Sequence, residues 1–138
     1  MKTLIIGSSG RISKVFKDIN KIGFQSNTYF ASILPWINQE KDIVLIGSSD
    51  NSLTPSLDHI VAAFELGVQA VLLTHIGGYP IPEIKEISNF CKDKGILLFE
   101  DCAHSPFTKI DGKLVGSFGD ASIMSFFPTK PIPAGEGG

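Results

Sequence analysis

Ala70-Val71-Leu72-Leu73-Thr74, the segment Pro82 to Lys94, and Ile96-Leu97-Leu98-Phe99 form the stretch whose reading decides the fold. The first run is apolar without alternation, the pattern of a strand covered on both faces in a parallel sheet. The second places Ile84, Ile87, Phe90 and Cys91 on one helical face and Glu83, Lys85, Glu86 and Lys92 elsewhere, and Gly95 ends it. The third is another short strand of the buried type. Strand, helix and strand in that order, with Gly77-Gly78-Tyr79-Pro80 breaking the chain after the first strand, predict a right-handed crossover in a largely parallel sheet.

Toward the N-terminus the same alternation continues. A helix from His59 to Leu66 stops at Gly67, and Thr54-Pro55-Ser56-Leu57-Asp58 opens it, with Thr54 as N-cap and Pro55 at the first helical position. Ile43 to Ile46 reads as a strand, followed by turn chemistry in Ser48-Ser49-Asp50-Asn51-Ser52. Gly23-Phe24-Gln25-Ser26 and Asn27-Thr28-Tyr29-Phe30 lead into the apolar run Ala31 to Ile37, where Pro35 is expected near a helix start. Thr3 to Ile6, closed by Gly7-Ser8-Ser9-Gly10 and followed by Ile12, Val15, Phe16 and Ile19, reads as strand, tight loop and helix. After Asp101 the pattern turns irregular, with Asp111-Gly112-Lys113 and Gly116-Ser117-Phe118-Gly119-Asp120 around short apolar runs. Ala121 to Phe127, Pro128-Thr129-Lys130 and the tail Gly135-Glu136-Gly137-Gly138 complete the chain. The expected class is α/β, a mostly parallel sheet flanked by helices. Residues 1–138 form a single domain, and the tail reads as an interrupted fold.

Composition narrows the function. In 138 residues, 12 basic side chains face 14 acidic ones, with no polybasic patch for nucleic acid and no acidic tail. Small-molecule chemistry or protein contact is therefore expected, and no nucleic acid. No apolar run reaches the ~18 residues that span a bilayer, so no membrane is expected. Cys91 and Cys102 lack CxxC spacing, which supports neither a zinc site nor a disulfide framework and fits a reducing, cytoplasmic setting.

Asp101 falls at the carboxyl end of a parallel strand, where open α/β sheets present ligand sites; a turn or capping aspartate explains it equally. Lys130 emerges from the aromatic and apolar segment Ser125-Phe126-Phe127-Pro128-Thr129, the setting of a nucleophilic amine, and by itself also reads as a solvated surface lysine. Gly7-Ser8-Ser9-Gly10 offers backbone N–H groups and two hydroxyls to a phosphate, without the Rossmann spacing or a P-loop lysine, and a plain tight turn fits the same residues. His104, three residues beyond Asp101, can share its site. His59 reads as structural, His75 has no ligand-type partner at helical spacing, and Tyr29 and Phe30 read as core aromatics.

Taken in order, Phe99-Glu100-Asp101-Cys102-Ala103-His104-Ser105, Gly112-Lys113-Leu114-Val115-Gly116-Ser117-Phe118-Gly119-Asp120, Ser125-Phe126-Phe127-Pro128-Thr129-Lys130 and Gly135-Glu136-Gly137-Gly138 strongly resemble the DegT/DnrJ/EryC1/StrS family of sugar aminotransferases. Asp50 to Leu57 resembles the family's segment before a large-domain helix. Gly7-Ser8-Ser9-Gly10-Arg11 and Asn27-Thr28-Tyr29 resemble its phosphate loop and ring-stacking segment. The resemblance implies part of the large domain of a fold-type I transferase dependent on pyridoxal 5'-phosphate (PLP), with the C-terminal small domain absent. By it, Lys130 would hold PLP as a Schiff base and, once released, act as general base. Asp101 would pair with the pyridinium nitrogen, His104 would bond near the 3-hydroxyl, and Tyr29 would stack on the ring. Ser8, Ser9, Gly10 and Ser125 would hold the phosphate. The implied reaction moves an amino group from an amino acid, typically glutamate, to a keto group of a nucleotide-linked sugar. The implied partner is a second copy in a homodimer, or a chain that supplies the missing domain.

Other readings stay open at this point. The dehydratases of the same family typically carry histidine in place of the Schiff-base lysine, and Lys130 argues against them. A non-catalytic remnant of the family and a small nucleotide-binding α/β module are the remaining alternatives.

Overall fold

Every residue of the strand Ala70–Thr74 is buried, as an apolar run without alternation demands. The computed structural model describes residues 18–135 and Gly138. The expected strand Thr3 to Ile6, the loop holding Ser8, Ser9 and Gly10, and all but the end of the helix expected after them lie outside the described residues, as do Glu136 and Gly137.

In chain order the elements are β1 (Lys21–Gln25), α1 (Phe30–Ile37), β2 (Asp42–Ile46), α2 (Leu57–Glu65), β3 (Ala70–Thr74), α3 (Ile84–Lys94), β4 (Leu97–Asp101), the two-residue strands β5 (Lys109–Ile110) and β6 (Lys113–Leu114), and β7 (Ala121–Ile123). A five-stranded sheet runs β2-β1-β3-β4-β7, and each of its four pairings is parallel. β5 and β6 form a separate antiparallel hairpin. Its turn puts Asp111 at φ 50° and Gly112 at φ 77°, the backbone that Asp-Gly pairs favour in two-residue hairpins.

Strand periodicity divides the sheet into two faces. Val71, Leu73 and Leu98, with Ile46, pack against Ile60 and Ala63 of α2 and Ile84, Ile87 and Cys91 of α3. Ile22, Phe24, Ala70, Leu72 and Phe99 pack on the other face with Trp36 of α1, where the Phe24 and Trp36 rings meet edge to face at 6.2 Å. Each Val, Leu, Ile or Phe side chain so buried stabilises the fold by roughly 1.5–3 kcal/mol. Gly23 is the small residue in this packing: a Cβ there would lie 2.7 Å from Ile46 Cδ1 and 3.2 Å from Val71 Cγ1. The chain goes outward from β1 to β2 and then back across β1 to β3. That reversal puts α1 on one face and α2 and α3 on the other, as crossovers of a single hand require.

Three local expectations change. The N-cap of α2 is Ser56, not Thr54, and Pro55 precedes the helix. The Thr54 hydroxyl is taken by Ser52 Oγ at 2.9 Å, while Ser56 and His59 close a capping box, with Ser56 Oγ 2.7 Å from His59 Nδ1. Pro35 sits inside α1, sixth of its eight residues, where it cannot donate to the carbonyl of Ala31, and the helix ends two residues later. Tyr29 and Phe30 are 65% and 61% exposed, not core aromatics, because α1 buries its Trp36 side and turns its first residues outward.

Candidate active site

The strand order reverses direction between β1 and β3, and in open α/β sheets such a switch point opens a crevice at the carboxyl ends of the strands. Polar side chains gather there. Gln25, the last residue of β1, is wholly buried; its Oε1 accepts from the backbone N–H of Thr74 at 3.1 Å, and its Nε2 donates to Asn27 Oδ1 and the Leu53 carbonyl. The Thr28 and Thr74 hydroxyls lie 2.6 Å apart. These bonds hold the segment entering α1 over the end of β3.

Asp101 is the last residue of β4. It pairs with Thr74 on one side and Ile123 on the other. The carboxylate is 5% exposed. Oδ1 accepts from the Ala103 N–H at 2.9 Å, and Oδ2 from the Ser32 hydroxyl at 3.3 Å. A carboxylate has about four acceptor positions, so Asp101 keeps capacity for a further donor. Ser32 lies one helical turn beyond Tyr29, whose carbonyl accepts the Ser32 N–H at 2.9 Å. One turn of α1 therefore carries both the exposed Tyr29 ring and the hydroxyl that touches Asp101.

His104 stands in the turn after β4, half-buried, and its Nδ1 accepts the Gly77 N–H at 3.2 Å. That bond places the ring proton on Nε2, which has no protein partner among the described residues. Because β7 runs parallel to β4, the chain leaving Ile123 emerges at the same end of the sheet as Asp101. From there it passes through Ser125, whose Oγ is 3.5 Å from the Phe127 N–H. Lys130 follows, half-buried, its backbone N–H closing a turn on Phe127 O at 2.8 Å. The structure thus brings Asp101, Tyr29 and His104 to one edge and directs the Lys130 segment to it. Among the described residues no hydrogen bond or ion pair joins the Lys130 amine to the other three.

Glu100, His75, Gln25 and Ser32 were not singled out by motif. Glu100 and His75 are both wholly buried, with His75 Nε2 3.0 Å from Glu100 Oε2. His75 Nδ1 accepts the Ile81 N–H at 3.1 Å, so the proton sits on Nε2 and the ring is neutral. Glu100 also accepts from Gly116 at 2.7 Å, Phe118 at 2.7 Å and Gly119 at 2.6 Å. Burial alone would raise its pKa, but the His75 bond and the three backbone donors more than offset this and hold the carboxyl below its ordinary 4.5. Cys102 Sγ lies within 4.8 Å of ligand atoms of the same two residues. Burial, reinforced by Glu100 and Asp101, pushes that thiol up to about 12, so the trio is a protonated thiol beside a saturated hydrogen-bond cluster, not a set of free metal donors. The signal for Glu100 was its place in Leu97-Leu98-Phe99-Glu100-Asp101: a charge on a buried strand needs partners.

A shallow cleft of about 270 Å³ lies beside this edge, lined by Asn51, Ser52, Leu53, Thr54, Tyr79, Pro80 and Pro82 from the loops after β2 and β3. Among the described residues no helix is long and apolar enough to cross a membrane.

Known proteins resemble most of this chain. A dTDP-4-dehydro-2,3,6-trideoxy-D-glucose 4-aminotransferase of Saccharopolyspora spinosa is 39% identical over 87 residues, 63% of this chain and 22% of that protein. A GDP-perosamine synthase of Vibrio cholerae is 35% identical over 111 residues, 80% of this chain and 30% of that one. The chain therefore spans less than a third of the length of these curated relatives. Among solved structures, the aminotransferase TlmJ from Streptoalloteichus hindustanus shares the fold with a TM-score of 0.82, covering 91% of this chain and 35% of that chain at 23% identity. The family model described as the DegT/DnrJ/EryC1/StrS aminotransferase family matches residues 18–138, the span that holds Tyr29, Asp101, His104, Ser125 and Lys130, and the chain belongs to that family.

Proposed function

We propose that this chain carries the PLP-binding part of an aminotransferase that transfers an amino group from an amino acid, glutamate by preference, to a keto group of a nucleotide-linked sugar. The observation that carries the reading is the Asp101 carboxylate: buried at the carboxyl end of β4, next to the strand-order switch, with acceptor capacity to spare. Such an acceptor fits PLP, whose protonated ring nitrogen needs a buried anionic partner. When bound, PLP supplies an electron sink for cleavage of bonds at the amino acid's α-carbon.

The chain's own residues divide the remaining work. Asp101 would keep a proton on the ring nitrogen, its Oδ2 oriented by the Ser32 hydroxyl. The exposed Tyr29 ring offers a stacking face, and His104 offers an Nε2–H donor, its other nitrogen being fixed by Gly77. Lys130 Nζ would hold the cofactor and, when free, would carry the proton to and from the substrate carbon. Ser125 with Ser8, Ser9 and Gly10 serves the phosphate. The sugar class rests on the relatives' names, which share a nucleotide-linked sugar and differ in the nucleotide. Residues 1–138 form the cofactor-binding large-domain part, and a second copy completes the site in the cytoplasm.

Supplying glutamate to the PLP-loaded chain tests the reaction. The expected result is 2-oxoglutarate released up to the amount of bound cofactor, with further release only after a nucleotide-linked keto sugar is added. PLP bound with no release would replace this reading by that of a non-catalytic member of the family.

A further inference from the structure

Nothing in the proposed reaction uses Glu100, yet it is the most fully bonded side chain near the site. A carboxylate without water persists in a fold only when donors cover its oxygens. Three of these four donors share a place in the chain. Gly116, Phe118 and Gly119 belong to the loop that joins the β5–β6 hairpin to β7, and His75 is the residue that follows β3.

The loop is shaped for this contact. Gly116 holds φ at 87°, and a Cβ at Gly119 would collide with the Leu98 carbonyl oxygen. Asp120 continues the seating: its N–H donates to Leu98 O at 2.8 Å, and its Oδ2 accepts the Leu98 N–H at 2.8 Å. β7 starts at the next residue, pairing Ala121 with Phe99, Ser122 with Glu100 and Ile123 with Asp101. A strand of three residues whose Ser122 and Ile123 are exposed has little hydrophobic pattern with which to set its own register. A slip by one residue would turn each of its side chains to the opposite face and displace everything downstream.

We infer that Glu100 is a positioning residue for Lys130: by gathering the 115–119 loop it sets β7 in register beside Asp101 and so delivers the lysine segment to the edge where Asp101 lies. The inference rests on the reading of Lys130 as the amine that holds the cofactor.

Glu100→Gln tests it. The amide oxygen can still serve Phe118 and Gly119, but the amide nitrogen then faces two donors, Gly116 N–H and His75 Nε2–H. Well below the unfolding temperature, amides 116–123 should exchange about tenfold faster than in the unaltered chain while those of β3 keep their rates. Pyridoxine 5'-phosphate lacks the aldehyde and cannot be attached, so its affinity should fall by no more than the about tenfold that one displaced phosphate contact, Ser125, carries. Borohydride-trapped attachment of PLP to Lys130 should slow by about a hundredfold, the order expected for a displacement near 1 Å. Unchanged exchange at β7, or equal losses of attachment and pyridoxine phosphate affinity, would overturn the inference and leave Glu100 a purely structural residue. If the variant does not fold, the unaltered chain decides: Gly116, Phe118 and Gly119 amides should exchange as slowly as those of β4, and fast exchange contradicts the role. A chain that never attaches PLP at Lys130 counts against the proposed function instead, and the exchange comparison then judges the positioning of β7 alone.

Discussion

Glu100 and Asp101 are consecutive on β4 and belong to different regions of the molecule. Glu100 faces the side of the sheet covered by α2 and α3, where it is wholly buried and bonded to three backbone N–H groups and His75. Asp101 faces the α1 side, where Ser32 and Ala103 are its partners and the ring of Tyr29 stands exposed. The two-residue period of a strand thus sets side by side a carboxylate that organises loops and one with capacity left for a ligand. Burial alone does not tell them apart; the number of donors already spent on each does.

Substitutions on the two sides should therefore fail differently. Asp101→Asn should lower turnover by roughly 10²–10⁴-fold while changing unfolding free energy by less than about 1 kcal/mol, because the amide oxygen can still accept from Ala103. Chemical denaturation beside steady-state kinetics checks both halves, and a large stability loss would erase the distinction. Glu100→Ala should do the reverse first, costing about 1–3 kcal/mol for each buried donor it leaves unpaired.

Acid sharpens the same contrast. Because the Glu100 carboxyl is held below 4.5 in the fold, its stabilisation is complete above the unfolded value and is lost as pH falls from about 4.5 through the folded value. Denaturation curves across that window should steepen toward acid in the unaltered chain and flatten in Glu100→Gln; identical slopes would show that the cluster carries no such linkage. On the closed side, Gly119→Ala should cost about 1–3 kcal/mol through collision with the Leu98 carbonyl, read as a lowered Tm. On the open side, Tyr29→Ala should leave Tm nearly unchanged and weaken PLP affinity by the ~0.5–1.5 kcal/mol of a lost ring contact.

Much of the sheet was legible because its strands carry their own evidence. Ala70–Thr74 and the run ending at Asp101 are apolar enough to require burial, and α3 has a clean apolar face closed by Gly95, which takes the left-handed C-cap. β7 was hidden because Ala121-Ser122-Ile123 has neither length nor alternation; β4 and the Glu100 cluster make it a strand. The cap at Ser56 was missed because Thr54 and Ser56 are equal by residue type, and the contact with Ser52 that occupies Thr54 is a tertiary detail of the loop. Within the site, Asp101 was found from its place at a strand end. The pairing of His75 with Glu100 spans 25 residues, beyond the reach of any local pattern, and Ser32 is one serine in an apolar run until α1 is docked over β4. Ser8, Ser9 and Gly10 rest on their motif alone.

The most direct measurement of the central claim is an absorbance spectrum of the chain incubated with PLP, before and after borohydride reduction, beside Lys130→Ala. The account predicts a band of protonated Schiff-base character that reduction fixes covalently at Lys130 and that the variant lacks. A band of equal strength in Lys130→Ala, or none in the unaltered chain, would contradict it.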